Sequence, residues 1–228
     1  MATIPTYMTY KGTKTPGSGI IKSGIAASEI PFGAFVTRAA DGTIKAQVTN
    51  VPYEYLGVAV DDQRQQVPYD GFYAAGKTVP YVATGTANVW LLGGQTIDAG
   101  NFVRFPATLG LGTESLGVVV PESSVNVRTA YSVGRVLEVA DAGDADYDQT
   151  IASYSGDAVT FGSAGALSAL DLVEGDYVVI DSNEHAEVNR VVDPAYSTVI
   201  CKMEKDLLAG HTTSITMYKL VPIEVELI

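Results

Sequence analysis

Acid–base, nucleophilic and metal chemistry need titratable side chains that converge, and in this chain such residues are few and scattered. There are two histidines. His185, in SNEHAEVNR, reads as a turn residue leading into a strand, and His211, in LLAGHTTS, follows Gly210 at the expected end of a short helix. His185-Ala186-Glu187 has the opening of a zinc-deaminase motif, but no Pro-Cys-x-x-Cys follows and the single cysteine does not supply one. No Gly-x-Ser-x-Gly elbow exposes a serine nucleophile. LGLG (Leu109–Gly112) and FGSAG (Phe161–Gly165) lack the Lys and the strand–loop–helix setting of a phosphate loop. The adjacent carboxylates Asp61 and Asp62 would point to opposite faces of a strand and not at one substrate. Asp144, Asp146 and Asp148, with Asp141 upstream, are the best ion candidate, since Ca²⁺ takes roughly six to eight oxygens. Against an EF-hand loop, however, Gln149 stands at the Gly position and Ser155 at that of the bidentate Glu. A solvated acidic loop is the plainer reading, with an irregular Ca²⁺ site as its alternative. The expectation is a non-enzyme without a cofactor or a resident metal.

Composition says what such a chain builds instead. With 228 residues, 46% hydrophobic and only 18% charged, it is globular and long enough for one large or two small β domains. Its 23 Gly, 10 Pro and 13 Tyr, beside abundant Val and Thr, belong to short strands and tight turns. The net charge of −12 is uneven. Residues 1–120 carry 8 Lys/Arg against 8 Asp/Glu, and residues 121–228 carry 6 against 18, so the whole excess lies in the second half. That acidity argues against a nucleic-acid partner. It serves either solubility alone, or a division in which a neutral half docks and an acidic half faces solvent. Cys201, in TVICKM, excludes an intrachain disulfide and reads as a buried, inert thiol. The first residues lack the basic start and apolar core of a secretory signal, and no run approaches the ~20 apolar residues of a membrane span. Folding in the cytoplasm where the chain is made, with no membrane partner, is expected.

Along the chain, residues 1–18 read as an N-terminal arm. Pro5, Gly12, Pro16 and Gly17 discourage regular structure, while Tyr7, Met8 and Tyr10 are side chains suited to lying on a surface. Lys11, Lys14 and Lys22 are the only charges up to Ser28. The arm is either a frayed terminus or a tether that orders on a neighbour. Runs of roughly five to eight residues follow, from GIIKSGIAA through TVPYVATG, ANVWLL and LGVVV to TSITMYKL and IEVELI, split by turn signals such as Asp41-Gly42 and Ala99-Gly100. This patterning predicts an all-β fold, a small β-barrel or sandwich over 19–155, with a second acidic, β-rich region over 156–228. Two short helices are expected, at Ala166–Val173 and Glu204–Ala209.

One phrase recurs. Ile30-Pro-Phe-Gly33-Ala-Phe35-Val, Ile97-Asp-Ala-Gly100-Asn-Phe102-Val and Leu172-Val-Glu-Gly175-Asp-Tyr177-Val share an aliphatic residue, a Gly, an aromatic and a Val at fixed spacing. A Gly before a strand supplies φ > 0, and the aliphatic and aromatic residues are expected to pack on the same side of that corner. A second phrase, YLGVAV around Gly57 and SLGVVV around Gly117, follows the first two copies, with YSVGRVLEV as a looser third version. Repeated use of one corner explains this, with internal duplication as the alternative.

The run GIAASEIPFGAFVTRAADGTIKAQV…YEYLGVAVDD, then YAAGKTVPYVATGTANVWLLGGQTIDAGNFVRF and YSVGRVLEVADAGD, resembles the capsid decoration proteins of tailed phages and related archaeal viruses, also called structural cement or head-stabilising proteins. The resemblance covers roughly residues 15–155 and rests on Gly33–Val36, Leu56–Val58, Gly85–Gly100 and Val133–Leu137. It implies a small β-barrel on the outer capsid surface of the virion, commonly a homotrimer, whose partner is the major capsid protein. Residues 156–228 depart from the pattern, since smaller members end near the closing strand. On this reading Tyr7, Met8, Tyr10, Lys11 and Lys14 dock on the shell. The alternative is a carbohydrate- or receptor-binding module of a viral surface fibre, stacking sugars on tyrosines of VPYEY (Val51–Tyr55) and VPYDGFY (Val67–Tyr73).

Overall fold

A computed structural model describes residues 19–28, 30–46, 55–60, 72–92, 95–105, 118–122, 124, 126–138, 140–141, 148–155, 158–161, 177–180, 184–193, 198–203 and 215–228. The arm at 1–18, both expected helices, residues 142–147 of the acidic loop, Asp61, Asp62, His211, Gly117 and Gly175 lie outside the described residues. The fold is all-β, with no helix among the described residues. In chain order the strands are β1 (Ile20–Ile25), β2 (Ile30–Pro31), β3 (Phe35–Arg38), β4 (Ile44–Ala46), β5 (Tyr55–Ala59), β6 (Phe72–Tyr73), β7 (Thr78–Leu92), β8 (Thr96–Ile97) and β9 (Phe102–Arg104). They continue as β10 (Val120–Pro121), β11 (Ser132–Val136), β12 (Ala140–Asp141), β13 (Asp148–Ser155), β14 (Ala158–Phe161), β15 (Tyr177–Ile180), β16 (Glu184–Asp193), β17 (Thr198–Met203) and β18 (Ile215–Leu227).

Fourteen of these strands form one sheet, and β2–β6 and β8–β12 pair separately. The whole sheet does not close into one barrel: its main path runs from β13 to β4, although β13 also pairs with β18, so that β13, β14, β17, β16, β15 and β18 form a ring of neighbours. At two places where a barrel would need a ladder, Ala26–Ile44 and Leu91–Val119, there is a single parallel bridge. One bridge per seam is too little pairing to count as a closed wall, so of the expected barrel or sandwich over 19–155 a closed barrel is not formed.

Two pairs of expected strands prove to be single long ones. TVPYVATG and ANVWLL fuse into β7, and TSITMYKL and IEVELI into β18. Gly85 lies inside β7 at φ 106° and marks a change of partner, not a break. The first half of β7 pairs with β1 and β5, and its second half with β18. Pro222, inside β18, lies where one edge ladder lapses: β15 pairs with 217–220 and β11 takes over at Val225. Proline, lacking an N–H, is tolerated at such a gap. β13 pairs with β14 across residue 155, and residues 220–227 return to β7.

The hydrogen bonding contains a repeat. The first unit is β1 to β6 with the first half of β7. The second is the second half of β7, β8 to β12, and the second half of β18. In the first, Phe35 faces Val58 and Val36 faces Gly57; in the second, Phe102 faces Arg135 and Val103 faces Gly134. The next pair is displaced by a bulge in both, Thr37 to Tyr55 and Arg104 to Ser132. The Gly33 N–H donates to Ala59 O and the Ala59 N–H to Ala34 O; likewise Gly100 N–H donates to Val136 O and Val136 N–H to Asn101 O. Val36 meets Ala46 on β4 as Val103 meets Pro121 on β10, and Ala26 takes in its bridge the place of Leu91. The duplication alternative thus has a structural counterpart. The equivalent of YLGVAV is SVGRVL, at Ser132–Leu137 of the looser third version, whereas Val119 of SLGVVV matches Ile44 of β4.

Two buried clusters hold the units. Ile30 and Val36 share one with Ala26, Phe32, Tyr73 and Tyr81; Ile97 and Val103 share the other with Leu91, Val136 and Ile223. Phe35 belongs to the second cluster and not to that of Ile30, and Phe102 is half-buried. The expected same-side packing of aliphatic and aromatic is therefore wrong. Neighbouring strand residues point to opposite faces, so the residue that joins Ile30 is Val36, one position past the aromatic.

Candidate docking surface

The corner glycines have specific work. Gly33 has φ 77°, and a Cβ there would stand 3.0 Å from Trp90 Nε1. Trp90, on the first strand of the second unit, donates its indole N–H to Phe32 O at 2.6 Å and so seals the first unit's corner. Gly57 serves close approach: a Cβ would come 2.1 Å from Val82 O on the neighbouring strand. At the second corner Gly100 has φ 88°, and its neighbour is the guanidinium of Arg135, which donates from Nε to Gly100 O at 3.3 Å.

An aromatic triad completes the contact between units. Phe35 meets Phe105 edge-on at 5.0 Å and Tyr55 at 5.3 Å, and Tyr55 meets Phe105 at 6.0 Å. The Tyr55 hydroxyl donates to Ile228 O at 2.6 Å, with Val133 O at 3.3 Å. Burial pushes this phenol's pKa up, opposed by the charge of Arg128 and the bond to Ile228. Val58, Val60 and Val82 of the first unit are buried in the same cluster. Their equivalents in the second unit are Arg135, Leu137 and Glu226, all exposed. Sequence follows burial here: the face covered by the other unit is valine, and the matching uncovered face carries charges.

The surface left open is β1, whose ladder partner among the described residues is β7 alone. Ile20, Ile21 and Ile25 are 58%, 50% and 47% exposed. The equivalent of Ile25 in the second unit is Trp90, which is 3% exposed because the first unit lies over it. β1 thus presents apolar side chains where its counterpart is covered, and it continues directly from the arm.

A second feature escaped the sequence reading. Glu122 is the one Asp, Glu, Lys, Arg or His in the buried core among the described residues. Its Oε1 accepts from Thr129 Oγ1 at 2.7 Å and Ser132 Oγ at 2.8 Å, and Oε2 lies 3.7 Å from Arg104 Nε. Thr129 N–H donates to Ser132 Oγ and Tyr131 N–H to Thr129 Oγ1. The carboxylate's bonds tie down the 122–132 turn, with Val127 and Tyr131 exposed on it. Nothing in ESSVNVRTAYS separates a buried Glu from a surface one, since the partners meet only through the turn.

Neither a family model nor a curated protein matches the chain. The site therefore stands on its own geometry. The expected docking residues Tyr7, Met8, Tyr10, Lys11 and Lys14 lie outside the described residues, as do Tyr53 and Tyr69 of the sugar-binding alternative. Tyr55, which that alternative also uses, has its ring packed in the triad and its hydroxyl engaged. His185 lies in β16, opposite Val179 of β15. Among the described residues no group of three or more His, Cys, Asp or Glu gathers, and no helix is long and apolar enough to cross a membrane.

Proposed function

We propose that this is a structural, non-enzymatic virion protein that binds the outer surface of an icosahedral capsid and bridges major capsid subunits, self-associating as it does so. The observation that carries the reading is β1: three exposed isoleucines on an edge strand that directly follows a Tyr-rich arm whose charges are all basic. Apolar area of this kind is worth about 25 cal/mol per Å² once covered. Many copies on one shell then turn modest contacts into avidity. The two-unit scaffold supports the reading by pairing β1 along its length with β7, and the acidic second half suits an outward, solvated side.

Co-sedimentation with assembled capsids tests it. Full-length protein is expected to pellet with shells, and a chain lacking residues 1–14 to stay in the supernatant while keeping its β-sheet circular dichroism. Equal binding by the truncated chain would remove the tether, and failure of the full-length chain to bind any shell would remove the capsid reading.

A further inference from the structure

We infer that the outer face of β1 is a head-to-tail self-association surface, and that it receives the second unit of another copy of this chain. The inference deepens the self-association part of the proposed function and is independent of capsid binding. Its basis is continuity with the contact already inside the molecule. The first unit sits with its Phe32–Gly33 corner on Trp90 and its Phe35 on Phe105. The strand equivalences place Ile25 where Trp90 stands and Arg38 where Phe105 stands. The same equivalences place Ala99–Gly100 where Phe32–Gly33 stands, and Phe102 where Phe35 stands. One chain therefore carries both halves of a second contact of this kind, and neither half has a partner unit within the chain's own pair.

The chemistry of the two halves fits. Ile21 and Ile25 are exposed and apolar, and the Gly100 corner offers backbone without a side chain. Arg38 is exposed and would meet the half-buried ring of Phe102, replacing an aromatic pair by a cation–π contact. Arg135 covers Gly100 in the free chain, but it is exposed and holds the corner by one 3.3 Å bond, so its displacement costs little. Because the two halves differ, the contact is heterologous, and it closes into a ring or runs on as a chain of copies.

The test uses two full-length variants, Ile25→Cys and Ala99→Cys, with a short bis-maleimide linker and the unaltered chain (carrying Cys201) as background. Mixing the two variants is expected to give a cross-linked dimer, and neither variant alone is expected to exceed background. Light scattering should show mass above one chain for the unaltered protein. Ile25→Glu should return it to a single chain with unchanged circular dichroism. A monomer at every concentration would overturn the inference, as would Ile25→Cys linking to itself, which signals a two-fold contact. Removing residues 1–18 should leave the mixed cross-link intact; its loss would show that the arm is the occupant and overturn the second unit as partner. A monomer that still pellets with capsids would sink this inference alone, whereas an oligomer that ignores capsids would sink the capsid reading alone.

Discussion

At the scale of single residues, Gly33 shows how a backbone constraint and a packing constraint coincide. Its φ of 77° excludes β-branched residues, and Trp90 occupies the space a Cβ needs. Gly33→Val should cost about 1–3 kcal/mol from backbone strain alone, with Trp90 displacement added, and urea unfolding reads this as a lower midpoint. Tyr55→Phe should cost about 1 kcal/mol by losing the bond to Ile228. Its titration has a definite sign. The folded phenol's pKa lies above the ordinary value of 10.0, so its contribution is full below that pH and is lost as pH rises through the folded value. Unfolding curves for the native chain should weaken above about pH 10 more steeply than those of Tyr55→Phe. The corner glycines were legible as spacing. The partner of Ile30 was not, because the phrase does not state which way Phe35 turns.

At the scale of elements, strand content was readable and strand continuity was not. Gly85 and Pro222 are ordinary break signals, and both sit inside long strands because the neighbours on each side change there. Only tertiary pairing reveals that. The equivalence of the units makes its own prediction through Val58 and Arg135. Val58→Arg puts an unpaired charge into the buried contact and should cost about 3–5 kcal/mol, whereas Arg135→Val, on an exposed face, should stay within about 0.5 kcal/mol. Chemical denaturation of the two variants side by side checks this. Similar losses would mean that the faces are not equivalent in the sense described.

At the scale of the whole molecule, the all-β class and the charge division were visible in composition, while the path of the last strand was not. That strand is β18, which pairs with β13 and β15 at one end and with β7 and β11 at the other. No local pattern shows that residues 220–227 fill a core built around residues 87–136. That arrangement orders events during vectorial synthesis. Every strand of the first unit exists once residue 84 has been made, whereas the second half of β7 waits for β18 and leaves Val89 and Leu91 without their partners until then. Ribosome-bound chains arrested near residue 140 should resist protease through β1 to Thr84 and be cut beyond it, with protection reaching the second unit only after residue 227 has cleared the exit tunnel. The last strand, β18, thus acts as a timer, which holds the second unit open until translation has passed it.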